Sequence, residues 1–210
     1  MPRRYYVGLF LALIFVLRAQ GADAQSKRDA DAVAREIIVE TSPALAPFQH
    51  VRFCLRYPGD CQPNSATKEQ LQPQMVGLLK RVNQKVNQSI NPRSKAYENG
   101  EGWTIAPDTG DCNDYAVTKR HELLMRGLPS SALRLSVTQT PEGMGHLVLV
   151  VATTGGNMVM DNLTDEILPW QLTAYRWLKI QSAGDPHFWI GIKQLQTSEY
   201  VGRLSKNGPD

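Results

Sequence analysis

A cysteine in Gly110-Asp111-Cys112-Asn113-Asp114-Tyr115 stands between two carboxylates. A thiol does nucleophilic chemistry as the thiolate, and neighbouring acids disfavour that ion. Such a cysteine either draws positive potential from elsewhere or packs as a small apolar residue. Two other residues could complete a thiol catalyst: His146, in Gly145-His146-Leu147-Val148, and Asp161, in Met160-Asp161-Asn162. In such a set the sulfur attacks a carbonyl, the imidazole takes and returns the proton, and the carboxylate holds the imidazole tautomer. Each has a plainer reading: Cys112 as packing, His146 as a strand-edge histidine, Asp161 as the start of a turn. Among the other histidines, His121 falls among charged helix residues and reads as solvated, and His50 has no acid nearby. His187, after Asp185 on a predicted strand, is the rival base.

The elements that would position these groups are legible. Asp111 is an N-cap type directly before a predicted helix from Cys112 to Arg126, which Gly127 and Pro129 end. Asp114 falls in its first turn, where a carboxylate suits the dipole. Cys112 then takes the first helical position, where unpaired backbone N–H groups favour a thiolate. Beyond the helix the apolar period becomes two, which predicts strands at 132–138, 146–152 and 157–161 around a turn at 153–156. An even-numbered loop, Thr154-Gly155 or all of 153–156, sets Ala152 opposite Asn157 and Val150 opposite Val159. Val148 then opposes Asp161, which shares a face with His146 on the diagonal. Diagonal Cβ atoms lie about 7–8 Å apart, a gap that an imidazole and a carboxylate can bridge. An odd loop would send Asp161 to the other face. Further strands are predicted at 175–180 and 187–192, a helix at 73–89 and a short one over 29–40 before a Pro-containing connector. Residues 48–54 read as a strand, and 91–103 and 106–110 as loops. Helices followed by an antiparallel sheet make the fold class α+β.

Residues 1–24 read as a cleaved signal peptide: Arg3 and Arg4, an apolar run from Val7 to Leu17, then Ala22-Asp23-Ala24. The expected mature chain, 25–210, is one domain, exported to the periplasm or secreted. It keeps 20 basic and 19 acidic residues, a balance that gives no electrostatic case for nucleic acid. Its cysteines are Cys54, Cys61 and Cys112. Tyr57-Pro58-Gly59-Asp60 is a turn signal that brings Cys54 and Cys61 together, so they are the expected disulfide and Cys112 has no partner. No zinc-ligand spacing, P-loop or dinucleotide fingerprint is present.

Taken in order, Trp103, Gly-Asp-Cys at 110–112, Gly145-His146 and Asp161-Asn162 resemble the bacterial transglutaminase-like cysteine peptidases, including LapG-type periplasmic proteases. The likeness runs from about Ala44 to Ile192. It implies a papain-like, transglutaminase-like core with a cysteine-bearing helix on an antiparallel sheet, and Cys112, His146 and Asp161 as the triad. It also implies calcium held by acids flanking the nucleophile. Asp111 matches that pattern; Asn113 departs from it, because the usual residue is Glu. Trp103 matches a family tryptophan, as groove wall, oxyanion aid or core. For the LapG-type subset the resemblance implies an adhesin as substrate and restraint by an inner-membrane cyclic-di-GMP receptor.

The expected function is an exported thiol hydrolase cleaving peptide bonds through a thioester at Cys112, with no required cofactor. An acyl transferase using an amine instead of water, and an envelope binding module that retains the fold, are the alternatives.

Overall fold

The computed structural model describes residues 37–64, 70–93 and 102–193. The expected signal peptide and most of the helix predicted over 29–40 lie outside them. Residues 37–39 are not helical, and the expected connector is strand β1, Glu40–Ala44. The segment read as a strand at 48–54 is helix α1, Phe48–Arg56. Its buried residues, His50, Phe53 and Cys54, recur at a spacing of three and four, which only a helix brings to one face. Arg56 of α1 leads into a 3₁₀ turn, Pro58–Cys61, and the expected Cys54–Cys61 disulfide joins the two.

Helix α2, Val76–Ser89, follows a 3₁₀ turn at Pro73–Met75, and helix α3 runs from Cys112 to Leu124. Two short strands, β2 (Asn91–Pro92) and β3 (Thr109–Gly110), pair in parallel just before α3, inside segments read as loop. The main strands are β4 (Leu133–Gln139), β5 (Gly145–Thr153), β6 (Gly156–Met160), β7 (Leu168–Pro169), β8 (Arg176–Gln181) and β9 (Trp189–Ile192). With β1 they form one antiparallel seven-stranded sheet in the order β1-β9-β8-β4-β5-β6-β7. The architecture is α+β, with helices on one face of the sheet.

β5 is buried on both faces. Leu147, Leu149 and Val151 meet the helical layer beside Leu79, Val117 and Leu123. Val148 and Val150 meet a second cluster with Trp170, Trp177 and Ile180. α3 is buried nearly all round, because it packs on β4 and β5 and is covered by α2. A helix in that position cannot show a clean amphipathic stripe. Arg120 ties α3 to its surroundings, donating from Nε to Leu133 O at 2.8 Å and from Nη1 to Asp60 O.

Candidate active site

The start of α3 is built by two acids. Asp111 is the N-cap; its side chain accepts from the helix backbone, while Asp114 Oδ2 accepts from Asp111 N at 2.9 Å, a reciprocal capping box. Asp114 Oδ1 also accepts from Thr104 N at 2.8 Å, which ties the preceding loop to the helix. Both carboxylates flanking Cys112 therefore serve the helix terminus. A Cβ added at Gly110 would lie 2.5 Å from Asp114 Oδ2, so the tight approach of chain and cap needs glycine there. At the far end Gly127, at φ +79°, closes the helix.

The hairpin takes the even register. Thr153 pairs with Gly156 across a two-residue loop, Ala152 with Asn157, and Val150 with Val159. Asp161 follows directly on β6, and its Oδ1 lies 2.8 Å from His146 Nε2. Both side chains are buried, at 5% and 3% exposure, and the remaining ring nitrogen, Nδ1, is left for the thiol. Cys112, the free cysteine, is within hydrogen-bonding reach of the imidazole. Burial alone would push His146 down; the hydrogen bonds and charges of Asp161 and Cys112 outweigh it and hold the imidazole at about 9. Burial would likewise raise Asp161, but its bond to His146, helped by Tyr175 and Leu163 N, keeps it below the usual carboxylate range. An ionised Asp161 accepts from Nε2–H, which fixes the tautomer.

Cys112 and His146 line a cleft of ≈ 410 Å³ with Phe48, Gln49, Trp103 and Leu147. Trp103 is both wall and core: its ring lies 6.2 Å from Phe53 and 5.8 Å from His50. Two residues at this centre had no motif to announce them. Gln49 lines the cleft with its Oε1 buried and unpaired. Tyr175 donates its hydroxyl to Asp161 Oδ2, and its ring sits 5.3 Å from that of His146.

The other histidines are elsewhere. His121, expected to be solvated, has Nδ1 3.0 Å from both carboxylate oxygens of Asp60, which the disulfide turn delivers to it. His50 is a core residue that burial, with Arg120 and His187, depresses to about 3. His187 lies in an exposed turn before β9, bonded to Asp185 at 2.8 Å, and does not line the cleft. His50, Cys54 and Cys61 cluster with metal-like spacing, but the two sulfurs are bonded to each other and offer no thiolate.

For calcium, Asp111 Oδ1 accepts from both N and Nδ2 of Asn113, each at 3.0 Å. Asn113 thus turns its NH₂ to the carboxylate, where a cation would need an oxygen. Calcium takes about six to eight oxygens. Among the described residues this pair as folded falls short of such a cage, and no step of the chemistry below runs through one.

Solved structures of Legionella pneumophila LapG are similar to this chain: the calcium-bound form at 21% identity and TM-score 0.47, covering 60% of this chain and 78% of that one. A second LapG structure gives 20% and 0.47, covering 78% and 88%, and an EGTA-treated one 19% and 0.46, covering 78% and 92%. No curated protein matches. Residues 40–197 match the family described as bacterial transglutaminase-like cysteine proteinase. A match over that much of the sequence shows the family: the chain belongs to the bacterial transglutaminase-like cysteine proteinases and is a cysteine peptidase.

Proposed function

We propose that the peptidase works through a Cys112–His146–Asp161 triad and a thioester intermediate. The observation that carries this is the buried 2.8 Å bond from His146 Nε2 to Asp161 Oδ1, beside a free cysteine at the first position of α3. The thiolate of Cys112 attacks the peptide carbonyl. His146, protonated up to about pH 9, gives its proton to the leaving amine. Water, deprotonated by the imidazole, then cleaves the thioester and restores the thiol.

The developing oxyanion needs donors. The cap uses the N–H groups of Asn113 and Asp114, which leaves the Cys112 N–H at the helix start. Gln49, which lines the cleft beside Cys112, is the proposed second donor, through its side-chain NH₂. Trp103 walls the groove.

Iodoacetamide labelling across pH tests the triad. Rapid labelling of Cys112 at neutral pH, lost in folded His146→Ala, is the expected result. Labelling no faster than that of a free model thiol at any pH would overturn the reading. The acyl-transferase alternative predicts stable incorporation of a labelled amine into glutamine peptides without cleavage.

Export is supported by the signal-like residues 1–24 and by the disulfide, which suits an oxidising compartment. A mature N-terminus at Gln25 by mass spectrometry is its test. A calcium site at Asp111 would require the Asn113 amide to turn; a calcium-dependent Tm shift abolished by Asp111→Ala would support it. A regulatory membrane receptor rests on the resemblance alone, and copurification with membrane fractions tests it.

A further inference from the structure

Lys119 lies in the middle of α3 at 0% exposure, and its Nζ is buried with no hydrogen-bond partner among the described residues. A lysine is almost never buried in full without a partner, because the ammonium gives up its water for nothing. The proposed chemistry gives it no task, but its surroundings do. On the same face of α3, Tyr115 donates to Ile90 O, and Glu122 accepts from Lys85 Nζ at 3.0 Å. Lys119 stands one turn from each, so it faces the stretch of α2 between those anchors, where Asn87 is. Asn87 Nδ2 donates to Asp161 O at 3.1 Å, Thr164 O at 3.2 Å and Asp165 Oδ1 at 2.8 Å. Asn83, one turn earlier, donates to Thr164 O at 3.0 Å. These two amides pin the loop after β6, and their shared carbonyl makes them neighbours. With both NH₂ groups committed to the loop, Oδ1 of each is buried and has no donor. Asp161 and Asp165 are also the charges that pull on Lys119, against the burial that lowers it to about 7, and the Tyr115 ring lies 5.8 Å from its Nζ.

A donor without an acceptor, beside acceptors without a donor, is the setting that holds an internal water. One water completes this seam: it accepts from Lys119 Nζ and donates to Asn83 Oδ1 and Asn87 Oδ1. Asn87 carries the link to the backbone of Asp161, whose carboxylate serves His146 Nε2, Leu163 N and the Tyr175 hydroxyl. We infer that Lys119 is a positioning residue for the reaction: through a buried water and Asn87 it holds Asp161 against His146. The role rests on the triad reading above, and the two can fail separately.

Lys119→Met keeps the length of the side chain and removes the donor. Urea denaturation should find it at least as stable as wild type, since a buried charge gives way to an apolar chain of similar volume. The His146 imidazole, followed by carbon-13 NMR across pH, should titrate near 9 in the wild type and about one pH unit or more lower in Lys119→Met. Deleting a positive charge would by itself raise His146, so a fall reports an Asp161 that has drifted from the ring. With Asn87→Ala in place, Lys119→Met should lower His146 no further, because the two residues act in one line. A high-resolution crystal structure of the wild type should hold a water within hydrogen-bonding distance of Lys119 Nζ and both asparagine oxygens. An unmoved or raised His146, an additive pair or a seam without that water would overturn the positioning role, the last of these whether or not a variant folds. A wild-type His146 that titrates near the ordinary value of about 6.5, with Cys112 labelled by iodoacetamide no faster than a free model thiol, sinks the triad reading instead and takes this role with it.

Discussion

His146 carries a proton over a wider pH range than a free imidazole because Asp161 and Cys112 outweigh its burial. Asp161→Asn removes the charge and keeps the shape. The alkaline limb of kcat/KM should then move down from near pH 9 toward the ordinary imidazole value of 6.5, and kcat/KM should fall about 10²-fold or more. Rates measured across the pH range with a cleavable peptide check this; an unmoved limb would assign the alkaline fall to another group. The same pair links stability to pH. A proton held more tightly folded than unfolded stabilises in full below pH 6.5, and that contribution is lost as pH rises through about 9. On the proposed role of Gln49 as oxyanion donor, which acts on the transition state, Gln49→Ala should cut kcat by about 10²-fold while leaving KM nearly unchanged. Steady-state kinetics with the same peptide read that split. Cys112, His146 and Asp161 could be named from the sequence because a cap, a strand period and a two-residue turn are local rules that fix their directions. Gln49 and Tyr175 obey no local rule: each reaches the site through contacts with residues far along the chain.

Among elements, α3 was the most legible, because its start and stop signals are side chains within one turn of its ends. α1 was not. Phe48, His50 and Arg52 alternate weakly enough to suggest a strand, yet the residues it buries follow a helical period, and the disulfide at Cys54 secures it to the next turn. β1 was hidden for another reason. Its five residues include Pro43 and pair with β9, which lies about 150 residues later in the sequence, so nothing local marks them as a strand. The cap of α3 makes its own prediction. In Gly110→Ala the new methyl collides with an Asp114 carboxylate already committed to Asp111 N and Thr104 N. The cost should be about 1–3 kcal/mol by urea denaturation, accompanied by slower iodoacetamide labelling of Cys112 as the first turn shifts. Unchanged stability would mean that the cap yields without loss.

For the whole molecule, the sheet divides two cores, and the site sits where both contribute. The helical layer supplies Cys112 and Trp103; the second cluster backs Tyr175 with Trp177, whose rings are 6.4 Å apart. Trp177→Ala should cost roughly 3–5 kcal/mol, read by urea denaturation. It should also loosen the Tyr175–Asp161 contact, so activity falls even at temperatures where the protein stays folded. The α+β class was legible from the change in hydrophobic period after α3, whereas the strand order was not, because β9 and β8 join β1 to β4 across most of the sequence. The origin of the three proposed triad residues on one helix and one hairpin has a further consequence. The hairpin alone can join imidazole to carboxylate, but until α3 docks on the sheet the sulfur stands apart from both. On the proposed triad, a nascent or stalled copy carries only a commonplace thiol, and completed folding is itself the safety catch that keeps a newborn protease from cutting its neighbours or itself.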